Sequence, residues 1–260
     1  MGYEPVNNFI ELKDLNKSYE KKNGKTKSLP VLKNINLTIG RNEFVTILGP
    51  SGCGKSTLLK LIGGFLTPDS GQINKDRQKV SEPGLDRIMV FQEFSQLFPW
   101  KTVIENVVFS LKAANKDNKF DYRAAAADYL KKVNLEEYLN YYPHQLSGGM
   151  KQRTALARTF AARSEVLLMD EPFGSLDSLT RHSLQSLLME IWRQEQQTVI
   201  FVTHDIRESI FLSDRIVLMS SEPGQIEEII ENNIERPRDR TGLEFSNLYK
   251  EIYEKMANKI

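Results

Sequence analysis

Phe44–Ile62 reads FVTILGPSGCGKSTLLKLI, and three kinds of segment follow one another in it. Phe44–Leu48 is a short, β-rich apolar run with the length of a buried strand. Lys55–Ile62 carries apolar residues at helical spacing and is stopped by Gly63 and Gly64. Between them Gly49, Pro50, Ser51, Gly52, Cys53, Gly54, Lys55, Ser56 and Thr57 match G-x-x-x-x-G-K-[ST]. The loop is therefore a turn from a strand into a helix. Successive backbone N–H groups from Ser51 to Ser56 can form an anion nest there, with the positive end of the helix dipole aimed into it. Glycine at 49, 52 and 54 allows close approach and dihedrals that other residues resist. In this motif the lysine, Lys55, reaches the β- and γ-phosphates, and the Ser56 hydroxyl holds Mg²⁺. The stretch predicts an α/β phosphate-loop core that binds a nucleoside triphosphate.

Working outward, Val166–Met169 (VLLM) is a four-residue apolar run followed by Asp170, Glu171 and Pro172. A buried strand ending in two carboxylates beside a phosphate loop predicts a Mg²⁺ ligand at Asp170 and a group that polarises the attacking water at Glu171. Leu146–Arg153 reads LSGGMKQR, in which two glycines after a serine open a helix running on to Ala162 with no strand before it. Its first turn is a second anion-binding end in the same chain.

In this order the segments resemble the ATP-binding subunit of an ABC transporter, whose signature is LSGGQ, here with Met150 in place of the glutamine. The resemblance implies ATP hydrolysis by a head-to-tail homodimer, in which Ser147, Gly148 and Gly149 of one chain close in trans over the nucleotide of the other. It also implies roles residue by residue. Gln92, after the strand Ile88–Phe91, resembles the Q-loop glutamine on Mg²⁺. Ser175, Leu176 and Asp177 resemble the D-loop. His204, ending the strand Thr198–Thr203 (TVIFVT), resembles the switch histidine on the γ-phosphate, and Tyr19 the aromatic that stacks on adenine. The chemistry then falls to Glu171, His204 and Gln92, and the metal to Ser56, Gln92 and Asp170.

PGLDRIMVFQE (Pro83–Glu93), LFPWKTVIENV (Leu97–Val107), LLMDEPFGSLD (Leu167–Asp177), FLSDRIVLMSSEPGQI (Phe211–Ile226) and ERPRDR (Glu235–Arg240) resemble the nitrate/sulfonate/taurine-type importer ATPases. That likeness implies separate transmembrane permease subunits, an external substrate-binding protein acting through them, and a small anion as cargo. It also implies a peripheral position on the cytoplasmic face of the plasma membrane. Phe98, Pro99 and Trp100, beside the Q-loop, are expected to receive a short permease helix; each aromatic taken singly serves equally to pack the helical region.

Composition sets limits. At 260 residues the chain suits one α/β domain with a good core. Lys+Arg 35 against Asp+Glu 34 gives a net charge of +1, so no global charge draws nucleic acid, and none is expected as a partner. The single cysteine, Cys53, excludes an internal disulfide and is expected to be a small packing residue. No apolar run approaches the roughly 18 residues that span a bilayer, and MGYEPVNNFI lacks the basic and apolar segments of a leader. Gly2 hints at myristoylation, but Val6 stands where Ser or Thr is needed.

The expected organisation is a RecA-like phosphate-loop NTPase core over 1–93 and 162–260, with an N-terminal antiparallel β layer and an inserted α-helical subdomain over 94–161. Phe9–Asp14 and Ile35–Ile39 alternate apolar and polar residues and supply the β layer. Lys21, Lys22, Lys25 and Lys27 read as a solvated turn. Tyr122–Val133 is helical, and Leu184, Leu187, Leu188, Ile191 and Trp192 form the core stripe of another helix. Beyond Ser220 one strand, Gln225–Ile230, and a charged helical tail remain. Two other classes share parts of this pattern. A soluble ABC ATPase of nucleic-acid or cofactor-assembly work has every cassette motif, whereas a phosphate-loop kinase has only the loop and the DEP strand.

Overall fold

The computed structural model describes residues 8–20, 28–90, 97–115, 117, 119–174, 176–221 and 223–257. These fall into two compact units, one drawn from 1–84, 168–171 and 198–260, the other from 85–167 and 172–197.

The first unit has two sheets. β1 (Asn8–Glu20) and β2 (Ser28–Gly40) pair antiparallel, and β4 (Ser70–Lys75) and β5 (Gln78–Lys79) extend them in the order β2-β1-β4-β5. This layer exceeds the alternation legible in Phe9–Asp14 and Ile35–Ile39. Register shifts between Leu12 and Leu15 and between Leu15 and Lys17 break the period of two, so the outer halves of both strands carry no clean pattern.

In the second sheet β3 (Phe44–Leu48) lies parallel between β8 (Thr198–Thr203) and β9 (Arg215–Met219). Every residue of β3 and β8 is buried, as strands covered on both faces require. β7 (Val166–Asp170) follows β8 in the order, and β10 (Ile226–Glu231) closes the far edge antiparallel to β9. α1 (Lys55–Ile62) packs on β8, and α6 (Ile206–Leu212) on β3. α7 (Leu243–Ala257) is more than a charged tail. Its Phe245 and Ile252 are buried in a cluster with Leu48, Ile210, Ile216 and Leu218, and Leu248, Tyr249 and Met256 pack against it.

The second unit is mostly helical: α2 (Val103–Ala114), α3 (Tyr122–Lys132), α4 (Gly148–Ala161) and α5 (Ser178–Glu195), with β6 (Arg87–Val90) beside the start of β7, where Val166 N donates to Asp86 O at 3.0 Å. Each helix starts on a side-chain cap. Thr102 and Glu105 form a reciprocal capping box, and Asp121, Ser147 and Asp177 cap the other three. The stripe from Leu184 to Trp192 is buried in α5.

Candidate functional site

Sheet register assembles the site. Leu48 pairs with Thr203 on one side and Leu218 on the other, so Gly49 and His204 leave the sheet side by side, next to Met219 at the end of β9. Glu171 N donates to Val202 O at 3.1 Å and brings the end of β7 to the same edge. The carboxyl ends of parallel strands are where open α/β sheets bind ligands.

The phosphate loop is held from several directions. A Cβ on Gly49 would stand 2.7 Å from Met219 O and 2.9 Å from Cys53 Sγ, and one on Gly54 would stand 2.7 Å from Leu32 Cδ2. Gly54 also has φ 96°. On the outside, Gly224 N donates to Val31 O at 2.9 Å and Lys33 N to Gly224 O at 3.0 Å. A Cβ at Gly224 would lie 2.0 Å from Cys53 O. Gly224 thus acts as a seat for the loop's backbone, a role that the turn-like sequence SSEPGQI did not reveal. α1 begins at Gly54 with no side-chain cap, leaving its first-turn amides to an anion.

Lys55 is 5% exposed, and its Nζ donates to Gly49 O at 2.8 Å and Pro50 O at 2.9 Å. The same ammonium lies 3.9 Å from Glu171 Oε1. Glu171 Oε2 meets His204 Nδ1 at 3.0 Å. Glu171 has φ 44°, a left-handed conformation that costs a side-chain-bearing residue energy and that the surrounding structure must impose. Ser56 Oγ donates to Asp170 Oδ1 at 2.9 Å. Burial pushes the Asp170 carboxyl above its ordinary value; the neighbouring Glu171 charge adds to this, while the Ser56 bond and Lys60 and Lys55 oppose it. Burial likewise raises the Cys53 thiol, which Lys55 partly offsets, so Cys53 stays protonated as a packing group.

A hydroxyl and a carboxylate in contact are hard oxygen donors. Among the described residues no group of three His, Cys, Asp or Glu could hold a metal. A cation at Ser56 and Asp170 must therefore take most of its ligands from phosphate and water. That suits Mg²⁺, which keeps waters and binds through one or two carboxylates plus substrate phosphates.

The other predicted residues stand elsewhere. Tyr19 pairs with Leu29 in the antiparallel layer, its ring 41% exposed and 6.0 Å from Lys17 Nζ. In the second unit Ser147 Oγ accepts from Met150 N at 3.3 Å, Gly148 is exposed and Gly149 half-buried. Asp177 caps α5 by accepting from Thr180 N at 3.0 Å. Gln92 and Ser175 lie outside the described residues, as do Lys21, Lys22, Lys25 and Lys27. Phe98 packs edge-on against Phe109 at 4.7 Å with the Arg158 guanidinium 4.3 Å over its ring, while Trp100 is 70% exposed. Leu85, Leu97, Phe109 and Arg158 line a cavity of about 230 Å³ there.

Comparisons with known proteins point to one family. The family model "ABC transporter" matches residues 32–174. The nitrate import ATP-binding protein NrtD of Synechocystis sp. is 47% identical over 89% of this chain and 87% of its own length. The aliphatic sulfonates import ATP-binding protein SsuB of Bacillus thuringiensis subsp. konkukian is 42% identical over 96% of each chain. A solved dimer of the ATP-binding cassette MJ0796, in a post-hydrolysis state with ADP and Pi, superposes with a TM-score of 0.72 at 34% identity, covering 86% of this chain and 99% of that one.

Proposed function

We propose, for a chain that belongs to the ABC transporter family, the role of ATP-hydrolysing subunit in an importer of a small anion. It is an ATPase, and the observation that carries the mechanism is the contact chain Lys55–Glu171–His204 beside Ser56–Asp170. The phosphates would lie on the first-turn amides of α1, with Lys55 exchanging the carbonyls of Gly49 and Pro50 for β- and γ-phosphate oxygens. Ser56 and Asp170, with Gln92, would hold Mg²⁺, which neutralises charge as the phosphoryl group transfers. Glu171 polarises the attacking water. His204, bonded through Nδ1 to Glu171, keeps Nε2 for the γ-phosphate. Tyr19 stacks on adenine. Two chains close head to tail, Ser147, Gly148 and Gly149 of each completing the other's site, with Asp177 at the interface.

No described helix is long and apolar enough to cross a membrane, so transport needs permease subunits. Exposed Leu85, Trp100 and Phe109 around the cavity beside Phe98 support a seat for a permease helix. An external binding protein would select the cargo, and the chain would act at the cytoplasmic face of the membrane. Nitrate and sulfonate import by its relatives supports an anionic cargo, and calorimetry of the partner binding protein against nitrate, taurine, an alkanesulfonate and bicarbonate tests it. For the ATPase, Glu171→Gln keeps the shape and removes the charge. Turnover should fall by roughly 10²–10⁴-fold while Mg-ATP still binds, and the variant should elute as a dimer with ATP in size-exclusion chromatography. Unimpaired turnover would remove Glu171 from the chemistry.

A further inference from the structure

α6, which follows directly on His204, has only seven residues. Two turns do not hold a helix in water, so its position is imposed by tertiary contacts. At its start, Asp205 accepts from Arg207 N at 2.8 Å and Glu208 N at 3.3 Å. Thr203 Oγ1 donates to buried Glu208 and accepts from Asp205 N at 3.0 Å, which fixes the backbone on both sides of His204.

The far end is held by the ERPRDR segment, which the ATPase chemistry leaves unused. Arg238 is 6% exposed. Its Nη1 donates to Ile210 O at 2.9 Å, Phe211 O at 3.2 Å and Ser213 O at 2.7 Å, and its Nε to Ile234 O at 3.0 Å. Arg236 Nη2 donates to Leu212 O at 2.7 Å while Nη1 pairs with Asp214. Asn232 Nδ2 donates to Ile210 O at 2.8 Å and Ser213 O at 3.0 Å. The Arg240 guanidinium lies 3.5 Å over the Phe211 ring. The last carbonyls of a helix lack intrahelical donors and favour cations. Two guanidinium groups with fixed fork geometry satisfy four successive carbonyls, from Ile210 to Ser213, in a way that one flexible ammonium cannot.

We infer that Arg238, with Arg236, is a positioning residue for hydrolysis: the C-terminal segment clamps α6 and thereby holds His204 in register with Glu171. This rests on the reading of His204 as part of the catalytic site. The arginine contacts named above go to α6, Asp214 and Ile234 rather than to the phosphate loop, so ATP binding and hydrolysis should separate.

The test compares Arg238→Lys and Arg236→Lys in the full chain, the second guarding against a folding failure of the first. Phosphate release at saturating ATP should fall about tenfold in each, the scale on which small misplacements act, with ATP affinity within about twofold of the parent. In a His204→Ala background the same substitutions should change the residual rate by less than about twofold, because residues acting as a unit are not additive. The ¹⁵N resonances of the His204 ring, assigned by their loss in His204→Ala, should move in both arginine variants. Unchanged turnover in the folded variants, an equal fold-loss in both backgrounds, or unmoved ring resonances would overturn the clamp while leaving the catalytic reading standing. Parental turnover in His204→Ala would overturn that reading first and the clamp with it.

Discussion

α1 and α4 both begin on glycines after a loop, and their surroundings are opposite. At α1 the glycines answer to their own chain: Cβ atoms at Gly49 and Gly54 would meet Met219 O and Leu32, and Gly54 is left-handed. At α4 a Cβ on Gly148 would meet nothing within 4 Å, and one on Gly149 only Thr180 Cγ2 at 3.9 Å. Neither α4 glycine has a positive φ, and Ser147 already caps the helix. Glycine costs a helix interior about 0.5–1 kcal/mol relative to alanine. The folded monomer gains nothing visible from it at α4, so the requirement points outside the chain, to something that approaches the backbone closely. That supports an open half-site completed by a partner's nucleotide, set against an enclosed half-site at α1.

The strongest way to break this contrast is to damage each end in turn. Lys55→Ala should lose ATP affinity, whereas Ser147→Arg should keep ATP binding in the monomer and lose turnover by about 100-fold or more, as misassembled catalytic groups do. Mixing the two variants should restore part of the phosphate release, because a heterodimer retains one composite site made of two sound halves. Equal loss of ATP affinity in both variants would erase the distinction.

Methyl groups probe the same contrast more gently. Gly224→Ala puts a Cβ 2.0 Å from Cys53 O, and the backbone must shift, an overpacking worth about 1–3 kcal/mol. ATP and ADP affinity should both fall about two- to tenfold if half of that reaches the loop. Gly148→Ala should leave monomer nucleotide affinity unchanged and slightly raise the Tm, since alanine is the better helix former, yet weaken ATP-dependent dimerisation. A Gly148→Ala chain that binds ATP poorly would mean that the α4 end is not open.

The smallest effect concerns charge at the enclosed end. Burial raises the folded pKa of Asp170 above the ordinary value of an aspartate carboxyl. The charged form therefore destabilises the fold. That cost is absent below about pH 3.8, sets in as the pH rises through the raised folded value, and is complete at neutral pH. Asp170→Asn, which keeps an acceptor for Ser56, should melt higher than the parent at pH 7, converge with it near pH 3, and lose Mg²⁺-dependent turnover. A lower Tm at pH 7 would mean that Asp170 is net stabilising without metal.

Local chemistry made much of this molecule legible before any fold was known. A phosphate nest needs glycines, a lysine and a hydroxyl at fixed spacing, and the spacing holds from Gly49 to Thr57. Buried strands need mostly apolar runs, which FVTIL, VLLM and TVIFVT supply. The start of α4 was equally local at Ser147–Gly149, whereas the cap that Asp177 gives α5 was not read from the sequence. The outer halves of β1 and β2 were less legible, because bulges destroy the alternation by which strands are read.

What only the three-dimensional arrangement decided has long-range causes. Glu171 is left-handed where its N–H meets Val202 O of the neighbouring strand. Gly224 looks like a hairpin turn until Cys53 is seen against it. α7 looks like a charged tail until Phe245 and Ile252 reach Leu48 and Ile210. ERPRDR carries only a family likeness until Arg238 reaches the last carbonyls of α6. A motif records what a few neighbouring residues must do to a ligand. The contacts that hold those residues still come from chain segments tens to hundreds of positions away, and their identity is set by packing and hydrogen-bond satisfaction rather than by spacing along the chain.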